Sequence, residues 1–206
     1  MTNEFKIKRP ELDPSFAHEE KRILNLYRSR IEQSNLKEPT FIHMGGLPGA
    51  GKTTLAVSYL ENELKGQGFI RIDFDDIMTE LDGYEESSMI NPEQAYDEFW
   101  QPAASIGYKI IEMLVNEKTN ILLDHSGAPE YHIQILKEIK EIHNYKTKMI
   151  YAECPIEMVK MRVKVRELRT KRHVPEQLIL DRDKSLAKNF KHYQEALDEV
   201  VVIETF

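Results

Sequence analysis

The sequence predicts an α/β fold, a doubly wound parallel five-stranded sheet with helices on both faces. Three observations predict it. Short apolar runs of strand character recur at 41–44, 69–73, 120–124, 148–153 and 200–204. The stretches between them carry apolar residues at helical spacing, and strands that alternate with helices form parallel sheets covered on both sides. A length of 206 residues suits one domain with a real core.

The elements follow in order. Asp13-Pro14 reads as an N-cap with Pro at the first helical position. Ile23, Leu24, Tyr27 and Ile31 then recur at helical spacing, and this helix ends before Pro39. Phe41-Ile42-His43-Met44 is a strand that runs into glycines. Residues 52–65 read as a helix closed by Gly66 and Gly68, and 69–73 as the second strand. The acid-, Gly- and Ser-rich stretch 75–92 reads as a short helix and a loop. Two helices are expected at 92–100 and 102–118, split by Pro102. Asn120 to Asp124 is a buried strand ending in a carboxylate. A helix at 130–143, a strand at 148–153 and a helix at 155–169 follow. On that last helix Met158, Met161, Val165 and Leu168 form the expected buried stripe. Two more helices within 175–198 and a strand at 200–204 complete the chain. Residues 1–38 read as an N-terminal helical extension and 39–206 as the main domain.

Composition narrows the function. Hydrophobic residues at 41% and charged residues at 31% fit a soluble globular protein. No apolar run reaches the roughly 20 residues that span a bilayer, and Met1 to Pro10 has no apolar core of a secretory signal. A single cysteine, Cys154, excludes a disulfide framework within one chain and agrees with a cytoplasmic location. The net charge of −7 repels polynucleotides on average. Around His125, His143 and His173 there is no Cys/His spacing of zinc type, so no protein-bound structural metal is expected.

The chemistry-bearing motif is Gly46-Leu47-Pro48-Gly49-Ala50-Gly51-Lys52-Thr53, followed by Thr54, which fits G-x-x-x-x-G-K-[ST]. Glycines let such a loop turn its N–H groups inward around phosphates, and the next helix aims its N-terminus at the same anion. Lys52 supplies a positive charge near the β- and γ-phosphates of ATP or GTP, and Thr53 an oxygen for Mg²⁺. The motif lies between an expected strand and an expected helix, which is the context its mechanism needs.

Ligands of open α/β sheets bind beyond the carboxyl ends of the strands. Two expected strands end there in acid, at Asp73-Phe74-Asp75-Asp76 and at Asp124-His125-Ser126. Asp75 suits a base that takes a proton from an acceptor hydroxyl, and Asp124 a metal ligand. The bland alternatives are that Asp73 or Asp76 caps the next helix and that Asp124 only begins a turn. Lys160, Arg162, Lys164, Arg166, Arg169, Lys171 and Arg172 crowd into a short segment of an acidic protein. Arg162, Arg166 and Arg169 share one helical face, suited either to phosphate or to solvent and neighbouring acids.

In these residues the sequence resembles the zeta-toxin family of P-loop kinases. The resemblance rests on 46–54, Ile-Asp-Phe-Asp at 72–75, Asn-Ile-Leu-Leu-Asp-His-Ser-Gly at 120–127, Lys-Thr-Lys-Met at 146–149 and Arg-His-Val-Pro-Glu-Gln at 172–177. It implies a P-loop kinase-type fold and Mg²⁺-ATP dependence. It also implies transfer of phosphate to a sugar hydroxyl of UDP-N-acetylglucosamine, and an antitoxin protein that blocks the nucleotide site. Lys52 takes the role of the P-loop lysine, Asp75 that of the catalytic base, and Arg166 and Arg172 those of the arginines on the phosphates. Asp124 stands where the family usually has glutamate, and Ser126 where it has threonine. Asp73, Tyr108, Asp124 and Ser126 are the candidate substrate contacts. The family's substrate-binding glutamate falls near Tyr108 or Lys109, with Glu112 a turn later. Three other readings stay open: a kinase for a nucleoside, sugar or antibiotic, a nucleotide-gated binding module, and, least favoured by charge, a polynucleotide 5′-kinase.

Overall fold

The computed structural model describes residues 4–206, so the first three residues of the N-terminal extension lie outside it. Five strands, β1 (Thr40–Gly45), β2 (Phe69–Asp73), β3 (Asn120–Asp124), β4 (Lys146–Glu153) and β5 (Glu199–Glu204), form one parallel sheet of order β2-β3-β1-β4-β5. Side chains alternate across a strand. Ile42, Met44, Leu122 and Ile150 therefore share one face with Ala56 of helix α2 (Lys52–Asn62). Phe41, Ile121, Leu123 and Met149 pack on the opposite face with α5 (Pro92–Asn116) and α6 (Tyr131–Glu141). The sheet is thus covered on both faces, as expected. Among the described residues no helix is long and apolar enough to cross a membrane.

The helices depart from the sequence reading at four places. The stretch after β2 folds as two helices, α3 (Phe74–Thr79) and α4 (Tyr84–Ile90), where one helix and a loop were expected. Gly83, with a φ of 86°, starts the second, and Tyr84 packs edge-on against Phe99. Helix α5 is continuous through Pro102. Proline there removes a single helical hydrogen bond and crowds the preceding turn. The buried face from Ala95 to Val115, packed on α3, α4 and α1 (Ala17–Ser29), outweighs that loss. Asn91 caps α5 by accepting the Gln94 N–H at 3.3 Å. Helix α8 (Glu176–Ala196) is likewise one helix, with no Gly or Pro inside it to divide it.

The fourth difference concerns α7 (Ile156–Thr170). Met161, Val165 and Leu168 are 57%, 43% and 77% exposed and Met158 is half-buried, so most of the expected stripe faces outward. Val159 and Val163 are the buried pair, clustered with Leu47 and Ala50 of the glycine-rich loop. The inward face is narrow because α7 comes close to the loop backbone at Gly49. A Cβ on Gly49 would stand 2.9 Å from Val163 Cγ2 and 3.2 Å from the Val159 carbonyl oxygen.

The N-terminal segment lies on α5. The Phe5 and Ile7 N–H groups donate to Asn116 Oδ1 at 2.9 Å and Glu112 Oε1 at 2.6 Å, and Phe5, Ile23 and Tyr27 are buried. Asp13 accepts the Ser15 N–H at 2.9 Å and opens a short 3₁₀ turn (Pro14–Phe16) that leads into α1.

One close contact ties this layer to the end of β2. A Cβ on Gly107 of α5 would sit 2.3 Å from Cε1 of Phe74, the first residue of α3. Gly→Ala inside a helix ordinarily stabilises by about 0.5–1 kcal/mol. Here overpacking reverses the sign, and we expect Gly107→Ala to cost about 1–3 kcal/mol in urea unfolding. A neutral or stabilising result would mean that α5 and α3 are not held this closely.

Candidate active site

The glycine-rich loop follows β1 at the carboxyl end of the sheet and turns into α2 at Lys52. Gly46 has a φ of 127°, and a Cβ there would lie 2.5 Å from the Ala152 carbonyl oxygen, so only glycine fits. Gly51 caps α2 in the left-handed conformation, leaving the first N–H groups of that helix free for an anion. Lys52 Nζ donates to the Leu47 carbonyl at 2.9 Å, which holds the ammonium over the loop. Burial lowers its pKa, opposed chiefly by Asp124 and then by Asp75 and Asp73. Thr205 Oγ1, beyond β5, donates to the Ala50 carbonyl at 2.6 Å and braces the loop from the other side.

The strand-end acids form two groups. The β2–β3 register sets Asp73 opposite Asp124, and both are buried. Arg71 lies on the same face of β2 two residues earlier. Its guanidinium donates to Asp73 Oδ2 at 2.6 Å, Asp124 Oδ2 at 2.9 Å and Asp76 Oδ2 at 2.7 Å. Asp73 also caps α3, accepting the Asp75 N–H at 2.9 Å. Burial and the neighbouring Asp124 push the Asp73 pKa up, to about 7, against the pull of Arg71.

Asp75, in the first turn of α3, is separate from that group and forms an ion pair with Arg172. Burial alone would raise its pKa. Arg172, Arg166, Arg182 and Lys52 outweigh burial and hold it below the usual aspartate range. Arg172 reaches Asp75 because α7 ends at Lys171 in a left-handed turn, with a φ of 56°. Burial and the nearby Arg172 lower the Arg166 pKa.

All of these charged groups except Arg71 and Asp76 lie at one cleft of about 680 Å³. Lys52, Thr53, Thr54 and the loop glycines 49 and 51 lie on one wall. Asp73, Asp75, Asp124, Ser126, Arg166 and Arg172 complete the expected set. Gly46, Leu47 and Ala50 shape the loop from behind. Tyr108 is elsewhere, buried in α5 with its hydroxyl on Tyr131 and, at 2.7 Å, on His132 Nε2. Glu112 is held by the Ile7 N–H, and neither residue lines the cleft.

Four features escaped the sequence reading. Arg182 of α8 enters the cleft with its guanidinium 5.9 Å from the centroid of the Trp100 ring. Trp100 and Phe74 give the cleft an aromatic wall, and Tyr96 stacks behind Trp100. Arg71 is the cation of the acidic group. His43, His125 and His132 gather beneath the cleft. Their separation along the chain left no local spacing to find.

The zeta toxin family model matches residues 25–205, most of the chain. No curated protein matches it. Among solved structures it is similar to one from the PezAT chromosomal toxin-antitoxin system of Streptococcus pneumoniae, at 18% identity over 96% of this chain and 81% of that one, with a TM-score of 0.72. The AvrRxo1-ORF1:-ORF2 structure with ATP aligns at 16% identity over 94% of this chain and 64% of that one, TM-score 0.72. The Pnkp1/Rnl/Hen1 RNA repair complex aligns at 19% identity over 76% and 47%, TM-score 0.54. At such identities the likeness is one of fold.

The ion pair at the cleft makes a direct prediction. By carbon-detected NMR titration the Asp75 carboxyl titrates below the ordinary value of about 3.9. In Arg172→Ala its pKa rises, since burial then meets fewer opposing cations. An Asp75 pKa unmoved in that variant would rule out Arg172 as its partner in solution.

Proposed function

We propose that this chain, which belongs to the zeta toxin family, transfers the γ-phosphoryl group of ATP to a hydroxyl of a nucleotide sugar such as UDP-N-acetylglucosamine. It is an ATP-dependent phosphotransferase. The observation that carries it is the pairing of Asp75 with Arg172 in the cleft that also holds Lys52.

The loop N–H groups and the α2 N-terminus bind the phosphates, with Lys52 on the β- and γ-oxygens. Asp75, kept as a carboxylate by its arginines, accepts the proton of the acceptor hydroxyl. As that proton leaves, the acceptor oxygen bonds to the γ-phosphorus and the bond to the ADP oxygen breaks. Charge spread over the γ-oxygens is met by Arg166 and Arg172. The Thr53 hydroxyl and Asp124 carboxylate are oxygen donors in the same cleft, a donor type that suits Mg²⁺. When bound, Mg²⁺ neutralises phosphate charge.

Residues 1–38 read as an extension fastened to the 39–206 kinase domain through Phe5, Ile7 and Ile23. The PezAT and AvrRxo1-ORF1:-ORF2 names support a paired partner protein, and we assign an antitoxin that covers the cleft as the candidate. The lone cysteine fits a cytoplasmic setting.

A second acceptor class has one observation in its favour. Tyr108 stands near the family's substrate glutamate and is bonded internally to His132. This favours a kinase for a nucleoside, a sugar or an antibiotic over one for nucleotide sugars.

The test is mass spectrometry of Mg²⁺-ATP reactions with nucleotide sugars, free sugars, nucleosides and oligonucleotides. We expect one added phosphate on UDP-N-acetylglucosamine. Lys52→Ala and Asp75→Asn should lower transfer by roughly 10²–10⁴-fold, the latter with ATP still bound. Product on another acceptor alone would retire the nucleotide sugar. Full turnover in Lys52→Ala would overturn the site.

A further inference from the structure

We propose that His43, His125 and His132 form a binding site for one divalent transition-metal ion of the zinc or cobalt type, beneath the floor of the cleft. The three imidazoles come from separate elements. His43 is in β1, His125 follows β3, and His132 lies in the first turn of α6. One ring nitrogen from each lies within 4.8 Å of the other two. The site is independent of the phosphotransfer reading, since none of its residues is needed for that chemistry.

Burial makes the group unusual. His43, His125 and His132 are 0%, 7% and 2% exposed. Among the described residues neither nitrogen of His43 has a hydrogen-bond partner. An unsatisfied buried polar group is destabilising, so His43 gains from any ligand that takes its lone pair. Neutral imidazole is the form that ligates metal. The donors are all imidazole nitrogens, which select zinc, cobalt, nickel or copper over Mg²⁺. This separates the site from the oxygen donors Thr53 and Asp124.

The surroundings supply what a metal histidine needs. The Tyr108 hydroxyl holds His132 Nε2 at 2.7 Å, leaving Nδ1 for an ion and fixing the ring, as outer-shell partners do. His125 also lines the cleft, which gives an ion a way in. The rings now lie closer to parallel than a bound site requires. His125 and His132 have centroids 4.5 Å apart at an interplanar angle of 18°, and His43 and His132 are 5.6 Å apart at 31°. Lone pairs lie in the ring plane, so ligation turns the rings about their soft terminal torsions. It also draws the nitrogens to roughly 3.3 Å from one another, the spacing that tetrahedral zinc bonds of about 2.0–2.1 Å demand. Three histidines leave a fourth position for water.

The test uses the intact protein without nucleotide or Mg²⁺. Co²⁺ is added to the wild type and its visible spectrum recorded, and Zn²⁺ stoichiometry is measured by equilibrium dialysis. We expect the intense visible bands of tetrahedral Co²⁺ and one Zn²⁺ per chain. Affinity should fall at least about 10-fold in Tyr108→Phe, and binding should be lost in His43→Gln and in His132→Gln. Retained ATP binding reports that the variants are folded, and the wild-type spectrum needs no variant. Absence of the tetrahedral bands, or Zn²⁺ bound equally by wild type and His132→Gln, would overturn the site and leave the histidines as a packed stack.

Discussion

Two carboxylates set side by side by strand register repel each other, and Arg71 is the cation that lets Asp73 and Asp124 share the end of the sheet. The guanidinium bonds both, and Asp76 as well. An unpaired buried charge costs several kcal/mol, so the group stands or falls together. Its reach extends to the reaction centre through Asp73. That side chain, held by Arg71, also accepts the Asp75 N–H and so starts α3. The position of Asp75 is therefore inherited from a salt bridge in which Asp75 takes no part. Phe74, wedged against Gly107 and edge-on to Tyr108, sets the same turn from the α5 side.

The opposite wall is built by cations. The chain as a whole carries −7, yet Lys52, Arg162, Arg166, Arg172 and Arg182 all line the cleft. Concave walls of one sign focus the field and draw in anions. Arg162 is tied back to the end of the chain, donating to the Thr205 carbonyl at 2.7 Å. Thr205 in turn holds the Ala50 carbonyl, so loop, α7 and the end of β5 brace one another. Asp75 pairs with Arg172 and faces Arg166, Arg182 and Lys52, which is why its carboxyl stays low while Asp73 rises.

Local features were legible in the sequence. The glycine-rich loop, the acids at the ends of β2 and β3 and the arginines of α7 are short motifs whose chemistry dictates their spacing. The alternation of strands and helices gave the parallel sheet for the same reason. Tertiary features were not. Arg182 and Trp100 lie on different helices, and only packing brings them to one cleft. Arg71 looks like an ordinary strand residue until the register puts two carboxylates beside it. The three histidines are a product of topology alone. On α7 periodicity pointed to Met161 and Leu168, but close approach to the loop selected the small branched pair Val159 and Val163. At Pro102 the local rule gave way because the buried face of α5 is worth more than one hydrogen bond.

The fate of α5 bears on acceptor choice under the kinase reading. The residues near the expected glutamate position are consumed internally, Tyr108 by His132 and Glu112 by the Ile7 N–H. Recognition of an acceptor then falls to side chains that face the cleft near Asp75. Trp100 offers aromatic surface, and Arg182 sits over it with its guanidinium 5.9 Å from the ring centroid. A flat ring bearing a nearby negative charge satisfies both, through stacking and a charge-assisted hydrogen bond. A nucleotide sugar has that combination, and a free sugar has neither part of it. Trp100 and Arg182 therefore pull toward the nucleotide sugar, against the pull of Tyr108.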